Sequence, residues 1–183
     1  KRFLTERIAA FSPINSILEI GCASGPNLYL LAKKFPHSHI VGIDINQEAV
    51  AYGNARFAKE KILNVELLAG KADELKQYQD KAFDIVFTNA LLIYIGPDKI
   101  KEVIKEMIRI TRKALVLMEL HSFQSGEKDD GRGSYYGGNW VTDYAALLEQ
   151  FVPKEKIRVS RIPEHVWPVE PWQQLGAVVE VIM

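Results

Sequence analysis

Little in this chain ties it to the extracellular space, to a membrane or to a nucleic acid. Its 183 residues include one cysteine, Cys22, so no internal disulfide can form. Such usage is expected in a reducing compartment. No apolar run approaches the roughly 20 residues of a membrane-spanning helix. The opening Lys1-Arg2-Phe3-Leu4 lacks a secretory pattern. It also lacks an initiator methionine, which is compatible with further residues upstream. A cytoplasmic location without a membrane partner is the expectation. Lysine plus arginine number 23, matched by 23 aspartates and glutamates. Zero formal net charge and the absence of a dense basic run give no electrostatic reason to expect a nucleic-acid partner. His37, His121 and His165 are scattered without metal-ligand spacing, so no metal is expected. Neither an internal repeat nor an interdomain linker interrupts residues 1–183, and one domain of ordinary core size is expected. The oligomeric state leaves no signature.

What the chain does contain is an alternation of short apolar strands with amphipathic helices. Strands are predicted at Ser16–Ile20, His39–Ile43 (ending at Asp44), Val65–Ala69, Phe83–Thr88 and Ala114–Leu120. Between them lie a helix from Asn27 to Phe35 and a second, N-capped by Asn46, running to about Lys61. A polar crossover at Asp73–Lys81 follows the third strand. A third helix follows Pro97, a residue suited to a first turn. Its Ile100, Val103, Ile104 and Met107 recur at the spacing of a buried stripe. Several strands are nearly continuous in apolar residues, as parallel strands covered on both faces are. The order points to a doubly wound α/β fold. After a helix at Thr142–Phe151, two closing strands at Lys156–Ile162 and Gly176–Met183 are joined by a loop with Pro163, Pro168 and Pro171. That join lacks a helix, so an antiparallel pair is expected.

Two segments carry the chemistry. Glu19-Ile20-Gly21-Cys22-Ala23-Ser24-Gly25-Pro26-Asn27 sits between strand one and its helix. Small residues let backbone come close to a ligand, and a helix start presents unpaired amides. A carboxylate at Glu19 can accept a hydrogen bond from a ligand amine. Asp44 stands 23 residues after Gly21, at the end of strand two. An acid there accepts ribose hydroxyls in doubly wound nucleotide sites. Together the segments point to an adenosine-containing cofactor. The dinucleotide fingerprint Gly-x-Gly-x-x-Gly is not met: its positions read Gly21, Ala23 and Pro26, and proline removes an amide from the helix start.

The first segment instead resembles motif I of class I S-adenosylmethionine-dependent methyltransferases, an acid followed by Gly-x-Gly-x-Gly. Here it reads Glu19, Gly21, Ala23 and Gly25, with alanine in the middle. The resemblance runs from Ser16 to about Leu120. It implies a mostly parallel seven-stranded sheet with an antiparallel last strand, and helices on both faces. It implies S-adenosyl-L-methionine as cofactor and S-adenosyl-L-homocysteine as product. Glu19 and the Gly21–Gly25 turn, including Ser24, would hold the methionine portion, Asp44 the ribose, and Ile45 would pack on adenine. Ala72 and Asp73, after Lys71, match the adenine-edge segment. Asn89 and Ala90, opening Asn89-Ala90-Leu91-Leu92, would lie near the sulfonium. The family's Pro-Gly-Gly turn before strand five is replaced by Thr111-Arg112-Lys113.

Beyond the cofactor the residues leave alternatives open. Cys22 suits packing, and Asp84 suits a structural turn as well as a ligand contact. His121 follows strand five and is either a general base or a strand-end histidine bonded to backbone. Tyr94 is a second candidate for the chemistry. The glycine-rich stretch Phe123–Trp140, with Tyr135, Tyr136 and Trp140, is either a substrate-side lid or a cover over core. His165 and Trp167, in the late proline-containing loop, are read as structural or surface residues. Residues 1–122 would form the cofactor-binding half and 123–183 the lid and substrate-side half. The leading expectation is methyl transfer to a small-molecule acceptor. A nicotinamide-dependent reductase and a non-catalytic S-adenosylmethionine-binding protein are the rivals, and a protein acceptor stays open. No Asn-Pro-Pro-Tyr of the base-modifying type is present.

Overall fold

The computed structural model describes residues 1–123 and 134–183. Nine strands and six α-helices follow one another among them. They are α1 (Arg2–Ala9), β1 (Ser16–Ile20), α2 (Pro26–Lys34), β2 (His39–Asp44), α3 (Gln47–Lys59), β3 (Val65–Ala69), β4 (Phe83–Asn89), α4 (Ile100–Ile110) and β5 (Thr111–Leu120), then β6 (Ser134–Tyr136), β7 (Asn139–Val141), α5 (Tyr144–Glu149), β8 (Ile157–Arg161), α6 (Trp172–Leu175) and β9 (Gly176–Ile182). Seven strands form one sheet in the order β3-β2-β1-β4-β5-β9-β8. The pairs from β3 to β5 are parallel. The final strand β9 runs antiparallel to both β5 and β8. The expected sheet, reversed last strand included, is therefore the observed one.

Period-two alternation divides the core between the faces. Ile17, Ile85, Phe87 and Val116 point to one side, against Leu4 and Ile8 of α1, Leu28 and Leu31 of α2 and Phe57 of α3. Leu18, Val86, Leu115 and Leu117 point to the other, against Val103, Ile104 and Met107 of α4 and Leu147 of α5. Central β1, β4, β5 and β9 are buried along nearly their whole length, whereas edge strands β3 and β8 are largely exposed.

Local differences from the sequence reading have physical causes. Thr111–Lys113 is strand, not turn: α4 ends at Ile110 and β5 starts at the next residue, with the Thr111 hydroxyl donating to the Met107 carbonyl at 2.6 Å. Pro97 precedes α4 rather than opening it, because a turn closed by the Ile100 N–H on the Gly96 carbonyl (3.0 Å) comes first. The α5 helix is shorter than expected; Asp143 caps it, accepting from the Ala146 N–H at 3.0 Å. Asn46 caps α3 as predicted, accepting from Ala49 at 3.0 Å. The first helix, α1, was not anticipated. It lies on the sheet face, and Arg7 there makes a two-pronged pair with the buried Glu180 of β9, at 3.1 and 2.7 Å. Residues 124–133 of the glycine-rich stretch, with Gly126, Gly131 and Gly133, lie outside the described residues. The remainder holds the hairpin β6–β7, which pairs Tyr135 with Trp140 and Tyr136 with Asn139. Among the described residues no helix is long and apolar enough to cross a membrane.

Candidate active site

A cleft of about 610 Å³ opens at the carboxyl ends of β1, β2 and β4, where the strand order reverses direction. That is the place where doubly wound sheets bind ligands, and the volume suits a cofactor-sized molecule. Gly21 and Ala23 line it from the turn after β1, Asp44 and Ile45 from the end of β2, and Gly70, Lys71, Ala72 and Asp73 from the segment after β3. Asn89, Ala90, Leu91, Tyr94, Ile95 and Gly96 form the opposite wall, and Lys99 and Val103 close it from the start of α4.

The turn has left-handed backbone at Gly21 (φ 79°), Ala23 (φ 48°) and Gly25 (φ 74°). Asp44 ties it down: one oxygen accepts the Ala23 N–H at 2.7 Å and the other the Asn46 N–H at 2.8 Å. A carboxylate offers about four acceptor positions, so two remain. Ile45 is 70% exposed and Tyr94 71%, on the two sides of the cleft. Asp73 accepts from Lys99 Nζ at 3.0 Å, and that hydrogen bond holds its carboxyl below the usual range.

Glu19, Ser24 and Gly25 are not among the residues facing the cleft. Glu19 is buried beneath the turn; one oxygen accepts from Asn27 Nδ2 at 2.7 Å, and the other has no partner. Burial pushes its carboxyl up to about 8, against the lowering effect of Asn27. Gly25 is small for a reason other than ligand approach. A Cβ there would stand 2.8 Å from the Phe57 ring and 3.3 Å from Leu67. The turn is thus shaped from below by α3 and β3. Cys22 is buried, and burial raises its thiol well above the ordinary range, as a packing residue requires.

His121 also stands away from the cleft. It is 4% exposed, its Nδ1 accepts the Tyr144 N–H at 3.2 Å, and its ring lies edge-on to Phe123 and parallel to Tyr144. Asp84 lies at the opposite end of the sheet, accepting the Asn15 N–H at 2.7 Å and pairing with Arg112 at 3.2 Å. Trp140 borders the cleft at Gly96, its indole nitrogen 3.5 Å from where a Cβ on that glycine would be, and Tyr135 packs edge-on against it. Tyr136 points to the other face of the hairpin, into a hollow with Phe123 and Arg161. Among the described residues no group of three or more His, Cys, Asp or Glu is placed to hold a metal.

A protein-family model described as a methyltransferase domain matches residues 17–114, more than half of the chain. The chain belongs to that family of methyltransferases. It is 27% identical over 151 residues to the arsenite methyltransferase of Halobacterium salinarum, covering 78% of this chain and 38% of that protein. It is 31% identical over 157 residues to the U6 snRNA (guanine-N(2))-methyltransferase THUMPD2 of Bos taurus, covering 79% of this chain and 30% of the relative. The methyltransferase chain thus spans well under half the length of either. Its fold is also that of a SAM-dependent methyltransferase from Aquifex aeolicus, with a TM-score of 0.65, 19% identity and coverage of 98% and 89% of the two chains.

Sequence reasoning missed Leu91, Gly96 and Lys99 of the methyltransferase cleft, which reach it through the path of the chain between β4 and α4, and Val103 on the first turn of α4. It also missed Asn27, whose amide donates to one of the two Glu19 oxygens. The signal for Asn27 was a polar residue at the first turn of a helix directly after an acidic strand end.

Proposed function

We propose that this methyltransferase domain binds S-adenosyl-L-methionine in the β1–β2–β4 cleft and transfers its methyl group to a small-molecule acceptor, leaving S-adenosyl-L-homocysteine. One observation carries the reading: a turn of small residues, an acid with spare acceptor positions and an exposed apolar residue converge at the ends of adjacent parallel strands. The residues suit the cofactor. Asp44 has two acceptor positions left for ribose hydroxyls, and Ile45 offers an exposed face to adenine. The second Asp73 oxygen can accept from the adenine amine beside Ala72. Glu19, with a buried oxygen lacking a partner, would balance the methionine ammonium through the turn at Gly21 and Ala23, which Ser24 and Gly25 complete. Asn89 and Ala90 would lie beside the reacting carbon. Pro26 as the first residue of α2 leaves no amide there for a pyrophosphate, which disfavours a dinucleotide.

The bound cofactor supplies an already activated methyl group. The chain then has to hold the acceptor in line and keep water out. Tyr135 and Trp140 would form the acceptor side together with Tyr94, so residues 123–183 would be the substrate-side half and residues 1–122 the cofactor-binding half that also lends Tyr94. Where a proton must leave the acceptor, the Tyr94 hydroxyl is the candidate on the cleft; His121 is held by backbone elsewhere. A cytoplasmic setting belongs to the same proposal, supported by the single thiol.

Calorimetry with S-adenosylmethionine, S-adenosylhomocysteine and NAD tests the cofactor: the first two bind and NAD does not. Tight NAD binding with no response to the others overturns the reading. Incorporation of labelled methyl into small metabolites of a cell extract tests the acceptor class, and incorporation only into RNA or protein rejects it.

A further inference from the structure

Glu119 is a carboxyl group next to the last residue of β5, directly after the apolar run Ala114–Met118, and it is fully buried. Burying a polar acid costs free energy unless hydrogen bonds offset it, and a leucine would fill the same space more favourably. What a leucine cannot do is accept hydrogen bonds. One Glu119 oxygen accepts the Leu91 N–H at 3.1 Å and the other accepts the Leu92 N–H at 3.1 Å.

Those amides stand at the point where the chain leaves β4 and becomes the wall of the cleft. Ala90 there has a left-handed backbone (φ 57°), a costly conformation for a residue with a side chain, and its N–H is held by the Met118 carbonyl at 2.9 Å. Leu91 in turn lies against Gly21: a Cβ on that glycine would be 2.8–3.0 Å from three Leu91 side-chain atoms. A shift of the Leu91 backbone would therefore reach both walls of the cleft at once.

We propose that Glu119 is a positioning residue for the cofactor cleft: by clamping the Leu91 and Leu92 amides it fixes the path of Asn89–Gly96 and seats Leu91 on the glycine turn. The role in methyl transfer rests on the function proposed above; the clamp itself does not. Burial also raises the Glu119 carboxyl, to about 7, which the Thr88 hydroxyl and then the backbone amides partly oppose.

The test is Glu119→Gln, which keeps the size but has one acceptor oxygen and turns an NH2 toward the second amide. Amide hydrogen exchange at Leu91 and Leu92 should quicken about tenfold or more, with exchange in the rest of β4 and β5 nearly unchanged. The dissociation constant for S-adenosylhomocysteine, measured by calorimetry, should rise at least about threefold. Unchanged exchange at both leucines overturns the clamp. An even quickening through β4 and β5 reduces Glu119 to general core stability and overturns it too. Local quickening with unaltered affinity overturns the positioning role. If wild-type protein does not bind S-adenosylhomocysteine, the proposed function fails, and the exchange comparison alone decides the clamp. Should the glutamine variant not fold, Glu119→Asp, whose carboxylate is one methylene short of both amides, is read in the same way.

Discussion

Gly53 lies inside α3, where glycine ordinarily weakens a helix, so its replacement by alanine should by propensity stabilise the protein by about 1 kcal/mol. The structure predicts the opposite sign. An added Cβ would stand 2.4 Å from Leu67 Cδ1, 2.7 Å from the Ser24 carbonyl oxygen and 3.0 Å from its carbon. Leu67 cannot swing aside. It is 2% exposed, and its methyl groups also fill the space above Gly42, at 2.7 Å from a Cβ there, and beside Gly25, at 3.3 Å. Ser24 belongs to the turn that Asp44 pins. Forcing a methyl group into such a site costs about 1–3 kcal/mol, more when backbone must move. Set against the propensity gain, Gly53→Ala should lose up to about 2 kcal/mol net. Urea unfolding would show this as a lower midpoint at constant slope. S-adenosylhomocysteine affinity should fall as well, because the displaced atoms belong to the turn. In a Leu67→Val background the penalty should shrink, a coupling that a double-mutant cycle reads directly. Equal or greater stability of Gly53→Ala would refute the claim that α3 sets the shape of the turn.

Asp44→Ala should weaken S-adenosylhomocysteine binding by about 1–3 kcal/mol, the scale of hydrogen bonds to a charged group; unchanged affinity in a folded variant would remove Asp44 from the site. Its stability should fall by only about 1 kcal/mol, since the Ala23 and Asn46 amides it releases are open to water. The buried carboxyls make stability decline with rising pH: Glu119 and Glu19, raised by burial from 4.5 to about 7 and about 8, contribute in full below pH 4.5 and lose that contribution as pH climbs through those values. For Glu119 the loss is on the order of 3 kcal/mol, and a denaturation series from pH 5 to 8 that is flat, or rises, in wild type but not in Glu119→Gln would contradict it. Glu19 is largely protonated at pH 7 and should ionise when an ammonium group binds near it, so binding should release roughly one proton; equal heats in buffers of different ionisation enthalpy would rule that out.

The sequence displayed the parts of this fold that local chemistry decides. The Ile100–Met107 stripe, the Gly21–Gly25 turn and the Asn46 cap each act within one or two turns of chain, and the structure has all three. Asp44 was readable because its function needs a strand end, and strand ends are visible as the close of apolar runs. Features that depend on distant partners were not readable. Thr111–Lys113 stands where the resembled family has its turn but is strand here, with Thr111 paired to Phe83 of β4. The α1 helix packs on strands far along the chain, and its Arg7 pairs with a glutamate 173 residues away. His121 stood in the right place along the chain, yet its ring is turned toward Tyr144 rather than the cleft. Glycine's purpose was also misjudged from the sequence: Gly25 leaves room for Phe57, a neighbour no motif specifies.

Of the described strands of this sheet, the last in sequence is not the one that lies outermost. β9 threads between β5 and β8, and Glu180 on it receives the arginine of the first helix. A ribosome releases β1 to β5 long before this partner exists. Until residues 176–182 emerge, β5 has a bare edge of unpaired amides and carbonyls, and the buried side of α1 lacks its ionic anchor. Both are surfaces on which nascent chains stick to one another. Pairings of such long sequence separation also form slowly. Completion of this sheet thus waits until residues 176–182 have been made, and the yield of folded domain should respond to the speed of that insertion more than to the stability of the finished domain.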